Sequence, residues 1–87
     1  MWRLLYSRRA DRQLGKLGPG VRRIIVAWLN KHIDGCVNPR STGKGLTGGQ
    51  SGKWRYRLGD NRVLCEICDA EPVVLAIEVG HRREIYR

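Results

Sequence analysis

The sequence WRYRLGDNRVLCEICDAEPVVLAIEV, residues 54–79, has the pattern of three β-strands joined by short turns. Strands are predicted over residues 54–58, 62–68 and 73–79, with turns at residues 59–61 and 69–72. Because short turns join consecutive strands, this stretch predicts an antiparallel meander.

The N-terminal half predicts a strand followed by two helices. Residues 2–6 are β-compatible, and Ser7 can cap a first helix, whose apolar stripe is Tyr6, Ala10, Leu14 and Leu17. Pro19 suits the first turn of a second helix. The face of that helix predicted to be buried comprises Val21, Ile24, Ile25, Trp28, Leu29 and Ile33.

Residues 34–53 are rich in Gly, Ser, Thr, Pro and Asn and predict a long loop. The 87 residues are enough for one modest core. We therefore expect a single domain, residues 1–87, of the α+β class with the order β-α-α-β-β-β. Its two-helix hairpin packs on one face of an antiparallel sheet.

The composition points to an anionic partner. The chain has 17 Lys and Arg against 8 Asp and Glu, a net charge of +9. The excess is mainly arginine, whose planar fork suits phosphate, and the basic residues are spread over strands, loop and C-terminus. This favours nucleic acid over a membrane surface. Without a transmembrane stretch or a signal-peptide pattern, a cytoplasmic protein is expected.

The cysteines do not indicate metal or redox chemistry. Cys65 and Cys68 form a C-x-x-C, but residues three apart on a strand point to opposite faces. We interpret them as core or sheet-face residues and expect no metal and no cofactor.

Strand alternation sorts the meander into two faces. Arg55 and Arg57 oppose Trp54, Tyr56 and Leu58, while Arg62, Leu64 and Glu66 oppose Val63, Cys65 and Ile67. If the apolar sides meet the helices, the arginines and Glu66 form a cationic patch on the open face. We expect Trp54 and Tyr56 to flank this patch, and the C-terminal residues His81, Arg82, Arg83 and Tyr86 to extend it. Such a surface suits RNA chemistry, although alternating charge alone also fits a solvated sheet face.

Two segments resemble a known family. Trp54 to Leu64 and Val79 to Arg87 are similar to the W-R-h-R-h-G-D-Y-R-h-h and V-G-H-R-R-x-h-Y-R segments of RelE-type toxins of the RelE/ParE superfamily. The similarity extends over essentially the whole chain. It implies the toxin of a type II toxin-antitoxin system, a metal-independent and ribosome-dependent endoribonuclease that attacks the phosphate with a ribose 2′-hydroxyl. It also implies a cognate antitoxin, a hetero-oligomer with it, and operator DNA as a possible target of the pair.

The resemblance also implies roles for individual residues. Arg62 and Arg82 would neutralise charge on the phosphate, and Tyr86 would stack on a base or move a proton. Arg55 and Arg57 complete the set, at positions where some relatives have lysine. We expect the remaining RNA contacts from Lys44, Lys53, Arg83 and Arg87.

The proton acceptor remains open, because arginine is an implausible general base. His81 is the first candidate, followed by Glu66 and Tyr86, and His81 is equally compatible with a surface role. His32 is interpreted as structural. The alternative function is a ParE-like inhibitor of DNA gyrase without nuclease activity; a third is a module that only binds RNA or protein.

Overall fold

The computed structural model describes residues 1–50 and 52–81, except for the side chain of Gln50. The predicted residues Arg82, Arg83, Tyr86 and Arg87 lie outside this part of the chain. The helices are α1, Arg8–Lys16, and α2, Pro19–His32. The strands are β1 Arg3–Tyr6, β2 Lys44–Gly45, β3 Trp54–Leu58, β4 Asn61–Cys68 and β5 Val73–His81.

The five strands form one sheet in the order β1-β5-β4-β3-β2. The α+β class and the predicted succession of major elements are confirmed, and β3, β4 and β5 form the antiparallel meander. The sheet as a whole is mixed, because β1 pairs in parallel with β5. The predicted loop contains the short β2 and 3₁₀ turns at Pro39–Ser41 and Gly48–Gln50.

The first helix begins as the sequence predicts. Ser7 Oγ accepts a hydrogen bond from the backbone N–H of Ala10 at 3.0 Å, which satisfies one of the unpaired donors of the first turn. The same hydroxyl donates to the carbonyl of Ile77 at 3.1 Å. Ser7 therefore both caps α1 and fixes its start against β5.

One apolar core lies between the helices and the sheet. Ala10 and Leu14 of α1 are buried there, as predicted. The prediction for α2 is wrong in part, because Val21 is 40% and Ile24 is 67% exposed. The α2 residues buried in this core are Ile25 and Leu29, followed by Ile33 at its C-cap; the sheet contributes Tyr56, Val63, Cys65, Val74, Ala76 and Val79.

The outer edge of β1 is covered by the segment that follows α2. The backbone N–H of Trp2 donates to Cys36 at 3.1 Å, and Gly35 donates back to Trp2 at 2.7 Å. Asp34 Oδ1 accepts from the N–H of Leu4 at 3.0 Å. These contacts satisfy backbone groups that an edge strand otherwise exposes.

Two aromatic side chains of β3 fasten residues 39–43 to the sheet. The buried Tyr56 hydroxyl donates to the carbonyl of Pro39 at 2.6 Å, and Trp54 Nε1 donates to Thr42 at 2.8 Å. Gly43 follows with a φ of +83°, and a Cβ there would lie 2.5 Å from the Arg55 carbonyl oxygen. Only glycine fits this close approach without displacing backbone.

Two protonated groups in the core predict alkaline destabilisation. Burial raises the pKa of Cys65 from 9.0 to about 12 and raises the pKa of Tyr56 above its usual 10.0. Both groups are neutral when protonated, so the unfolded chain loses these protons first as the pH rises. The free energy of unfolding should be fully retained below about pH 9. It should then fall by about 1.4 kcal/mol per pH unit for each group, above pH 9.0 for Cys65 and above pH 10.0 for Tyr56.

Urea unfolding at several pH values between about 8 and 11 measures this slope. Cys65→Ala should make it shallower, whereas Cys68→Ala, which removes an exposed thiol, should not. An identical slope in the wild type and in Cys65→Ala would contradict the role of Cys65.

No helix in residues 1–50 and 52–81 combines the length and the apolar character needed to cross a membrane.

Candidate nucleic-acid interface

The strand register defines the face of the sheet that the helices leave open. Arg57 lies opposite Arg62, and Arg62 lies opposite Gly80 on the next strand. One step further along, Lys44, Arg55, Leu64 and Glu78 form a second row across β2 to β5. We call Lys44, Arg55, Arg57 and Arg62 the arginine face; its location on the side away from the core confirms the predicted strand alternation.

Arg62 is the most enclosed member of the arginine face, with 3% exposure. Its Nη1 donates to the carbonyls of Gly59 and Asn61, each at 3.1 Å, so the β3–β4 turn holds the guanidinium. Its Nε is buried without a hydrogen-bond partner, and no carboxylate within residues 1–50 and 52–81 forms a salt bridge with it. A buried cation without a counter-charge is unfavourable unless an anion binds.

Arg57 adds to this excess of positive charge. It is exposed and lies directly across the strand pair from Arg62, an arrangement in which like charges repel. Arg55 is half-buried in the neighbouring row, where Lys44 is its exposed partner on β2. Lys53 immediately precedes β3 and has the same alternation as Arg55 and Arg57. The arrangement concentrates positive charge on this face of the sheet.

A β-bulge in β5 brings a carboxylate onto the same side of the sheet. Leu64 pairs with Glu78, but Cys65 pairs with Ala76, so Ile77 is an extra residue on β5. The bulge turns Glu78 to the side of Leu64 and returns Val79 to the core. Glu78 Oε1 forms an ion pair with Arg9 Nη2 at 2.8 Å.

Sequence reasoning missed Glu78, although a signal was present. Unbroken alternation from Val74 and Ala76 would place Glu78 in the apolar core, where an ion pair would be needed to compensate its charge. A charged residue in register with two core residues is therefore a sign of a bulge.

Two expectations about the open face need correction. Tyr56 does not flank it, because this residue is wholly buried on the helix side. Trp54 shares the helix side of β3 and hydrogen-bonds to Thr42. The open face also carries two apolar residues, Leu64 and Val73, which are buried outside the main core, and Glu78 pairs with Leu64.

Two of the general-base candidates, Glu66 and His81, are among the described residues, and they lie on opposite sides of the sheet. Glu66 is exposed on the same face, four residues along β4. His81 is exposed and pairs with Asn61, which gives it the alternation of Val63 and Val79 on the helix side. The sequence predicted that His81 extends the cationic patch on the open face, whereas this register places it on the helix side. Tyr86, the third candidate, lies outside the described residues.

A shallow pocket of about 210 Å³ adjoins the arginine face at Gly80. Gln13, Lys16 and Leu17 line its α1 side, and Val79 completes it. Gln13 Oε1 accepts a hydrogen bond from the N–H of Val79 at 2.6 Å. The end of α1 thus covers the edge of β5 next to the row that contains Arg62.

The C-x-x-C residues lie on opposite faces, as strand alternation predicts. Cys65 is buried in the core and Cys68 is exposed, and both thiols are free. In the described part of the chain, His, Cys, Asp and Glu side chains form no group of three that could hold a metal ion. His32 stacks near Trp28, with ring centroids 4.9 Å apart.

A family model decides the classification. The model described as the ParE toxin of the type II toxin-antitoxin system parDE matches residues 4–86. The chain belongs to this family. It is thus a toxin of the RelE/ParE superfamily, in agreement with the resemblance of the two sequence segments. No curated protein matches the toxin significantly.

Solved structures show the same fold. The toxin is similar to a chain of the RelBE2 toxin-antitoxin complex from Mycobacterium tuberculosis, with 27% identity and a TM-score of 0.79, covering 93% of this chain and 98% of that one. It also resembles the isolated RelE toxin of E. coli, with 24% identity and a TM-score of 0.71 over 99% and 92% of the two chains. A chain of the intact E. coli RelBE complex has 22% identity and a TM-score of 0.70 over 93% and 96%. At 24% and 22% identity, the similarity to the two E. coli chains shows a shared fold and no more.

Proposed function

We propose that this toxin cleaves messenger RNA on the ribosome. The observation that supports this function best is Arg62, a buried cation held by two turn carbonyls, without an ion-pair partner in the described chain, and opposite a second arginine. Preorganised positive charge of this kind stabilises a phosphate whose charge increases in the transition state.

The reaction is an attack of the ribose 2′-oxygen on the adjacent phosphorus. Arg62 and Arg57 bind the non-bridging phosphate oxygens, and Arg55 and Lys44 bind the flanking backbone. Lys53, Arg83 and Arg87 provide further RNA contacts, while Arg82 and Tyr86 complete the catalytic set. No metal ion or cofactor is required for this chemistry.

The ribosome contributes a messenger RNA that is already extended and positioned in the decoding site. A flat sheet face can bind such a strand without enclosing it in a cleft. We therefore expect cleavage within codons of translated messages and little cleavage of the same RNA in solution.

The test uses purified toxin, ribosomes programmed with a defined message, and primer extension to locate cleavage sites. Codon-phased cuts in the ribosome-bound message are expected, at a rate at least about 100-fold above that of free RNA. Intact ribosome-bound message at equimolar toxin would contradict the proposal. A gyrase supercoiling assay with the same preparation tests the alternative function, for which the ParE description of the family is the supporting observation.

We also propose an antitoxin partner with an acidic docking segment. Two of the similar structures contain toxin-antitoxin complexes, and this toxin has a net charge of +9. Complementary charge accelerates association and covers the arginine face at the same time.

A further inference from the structure

We propose that Glu78 is the proton acceptor for the attacking 2′-hydroxyl. This inference rests on the proposed RNA cleavage and adds a catalytic residue to it. The structural basis is the bulge at Ile77, which takes Glu78 out of register with Val74 and Ala76 and places it in the row of Arg55 and Leu64. Bulges of this kind redirect single side chains next to active sites.

Glu78 is nearer to Arg62 than the other strand carboxylate of this face. Arg62 pairs with Gly80 and Leu64 pairs with Glu78, so Arg62 and Glu78 are diagonal neighbours on adjacent strands. Such Cα atoms are about 7–8 Å apart, within reach of two long side chains. Glu66 is four residues from Arg62 along the same strand, a distance of about 13 Å.

The Glu78 carboxylate is fixed and yet accessible. Its Oε1 is held by Arg9 Nη2 at 2.8 Å, and its side chain is 21% exposed. Within residues 1–50 and 52–81, this is the ion pair that Glu78 forms, and it leaves Oε2 able to accept a proton. Arg9 itself is 68% exposed, so we assign it a positioning role only.

The reaction balances with these groups. Glu78 Oε2 takes the proton of the 2′-hydroxyl while the 2′-oxygen forms a bond to phosphorus and the bond from phosphorus to the 5′-oxygen breaks. The leaving 5′-oxygen takes a proton from solvent water, and Glu78 later returns its proton to solvent. The products are a 2′,3′-cyclic phosphate and a 5′-hydroxyl, with no change of oxidation state.

The experiment compares Glu78→Gln with Glu71→Gln, which makes the same change at an exposed residue of the β4–β5 turn. Single-turnover cleavage of ribosome-bound message is measured for the wild type and both variants. Glu78→Gln should lower the cleavage rate by about 100-fold or more. Glu71→Gln should cleave at the wild-type rate, and ribosome binding should be unchanged in both variants.

Arg9→Ala separates catalysis from a structural effect of the broken ion pair. Because the Arg9 side of the ion pair is largely exposed, the pair contributes little. Arg9→Ala should therefore lower the cleavage rate by less than about tenfold. An equal loss in Arg9→Ala and Glu78→Gln would overturn the catalytic role.

Glu66→Gln distinguishes the two strand carboxylates. A large loss in Glu66→Gln with normal cleavage by Glu78→Gln would assign the role to Glu66 instead. If the wild type cleaves and Glu78→Gln cleaves equally well, this inference alone fails. If the wild type does not cleave at all, the proposed function fails with it.

Discussion

Arg62→Met is expected to stabilise the fold by about 1–3 kcal/mol and to lower messenger RNA cleavage by about 100-fold or more. The native guanidinium is buried, has an unpartnered Nε and faces Arg57 across the strand pair. Methionine has a similar length without the charge, so it removes the repulsion and the desolvation penalty. The same change removes the cation that we propose binds the scissile phosphate.

Urea unfolding and single-turnover cleavage of ribosome-bound message measure the two effects. Arg23→Met is the matched control, because Arg23 is exposed on α2 and its replacement lowers the net charge equally. The control should change the free energy of unfolding by no more than about 0.5 kcal/mol, and it should leave the cleavage rate unchanged. A destabilised Arg62→Met protein would show that Arg62 is mainly structural, and undiminished cleavage would remove it from the reaction.

Gly43→Ala is expected to destabilise the toxin by about 3 kcal/mol or more. The added Cβ would lie 2.5 Å from the Arg55 carbonyl oxygen and 2.5 Å from Trp54 Nε1, at a backbone φ of +83°. Relief requires displacement of β3 backbone or loss of the Trp54 hydrogen bond to Thr42. The substitution therefore acts on the strand that carries Arg55 and Arg57.

Gly15→Ala is expected to have the opposite effect on stability. Gly15 lies within α1, and a Cβ there meets nothing within 4 Å. Alanine should stabilise this helix by about 0.5–1 kcal/mol. Thermal or urea unfolding compares the two variants with the wild type; a Gly43→Ala protein as stable as the wild type would show that the 39–43 segment rearranges freely.

Local patterns were sufficient to predict most of the fold. The strand Trp54–Leu58 was predicted with its observed limits, and the Ser7 cap and the Ala10 and Leu14 stripe follow from side-chain chemistry and helical spacing. The two-residue β2 was not predicted, because it forms through pairing with Trp54 and Arg55 and has no β-pattern of its own. Ile24 was misassigned because an apolar residue beside a core stripe need not be covered.

The candidate site was predicted by residue type and not in its geometry. Strand alternation places Arg55, Arg57 and Arg62 on one face, as the register shows. It does not reveal that Arg62 is buried, because that depends on the turn carbonyls of Gly59 and Asn61. The position of Glu78 depends on one inserted residue, and a single insertion reverses every side chain that follows it.

The pairing of β1 with β5 also constrains how the chain folds. Arg3 pairs with Val73, and Tyr6 pairs with Ala76, so the first strand joins the sheet through the last one. Contacts between residues so far apart in sequence close slowly, since a long loop must lose its conformational freedom first. A nascent chain therefore has no strand for β1 to pair with until residues 73–76 have been synthesised. Until that pairing forms, the sheet lacks one of its two outer strands.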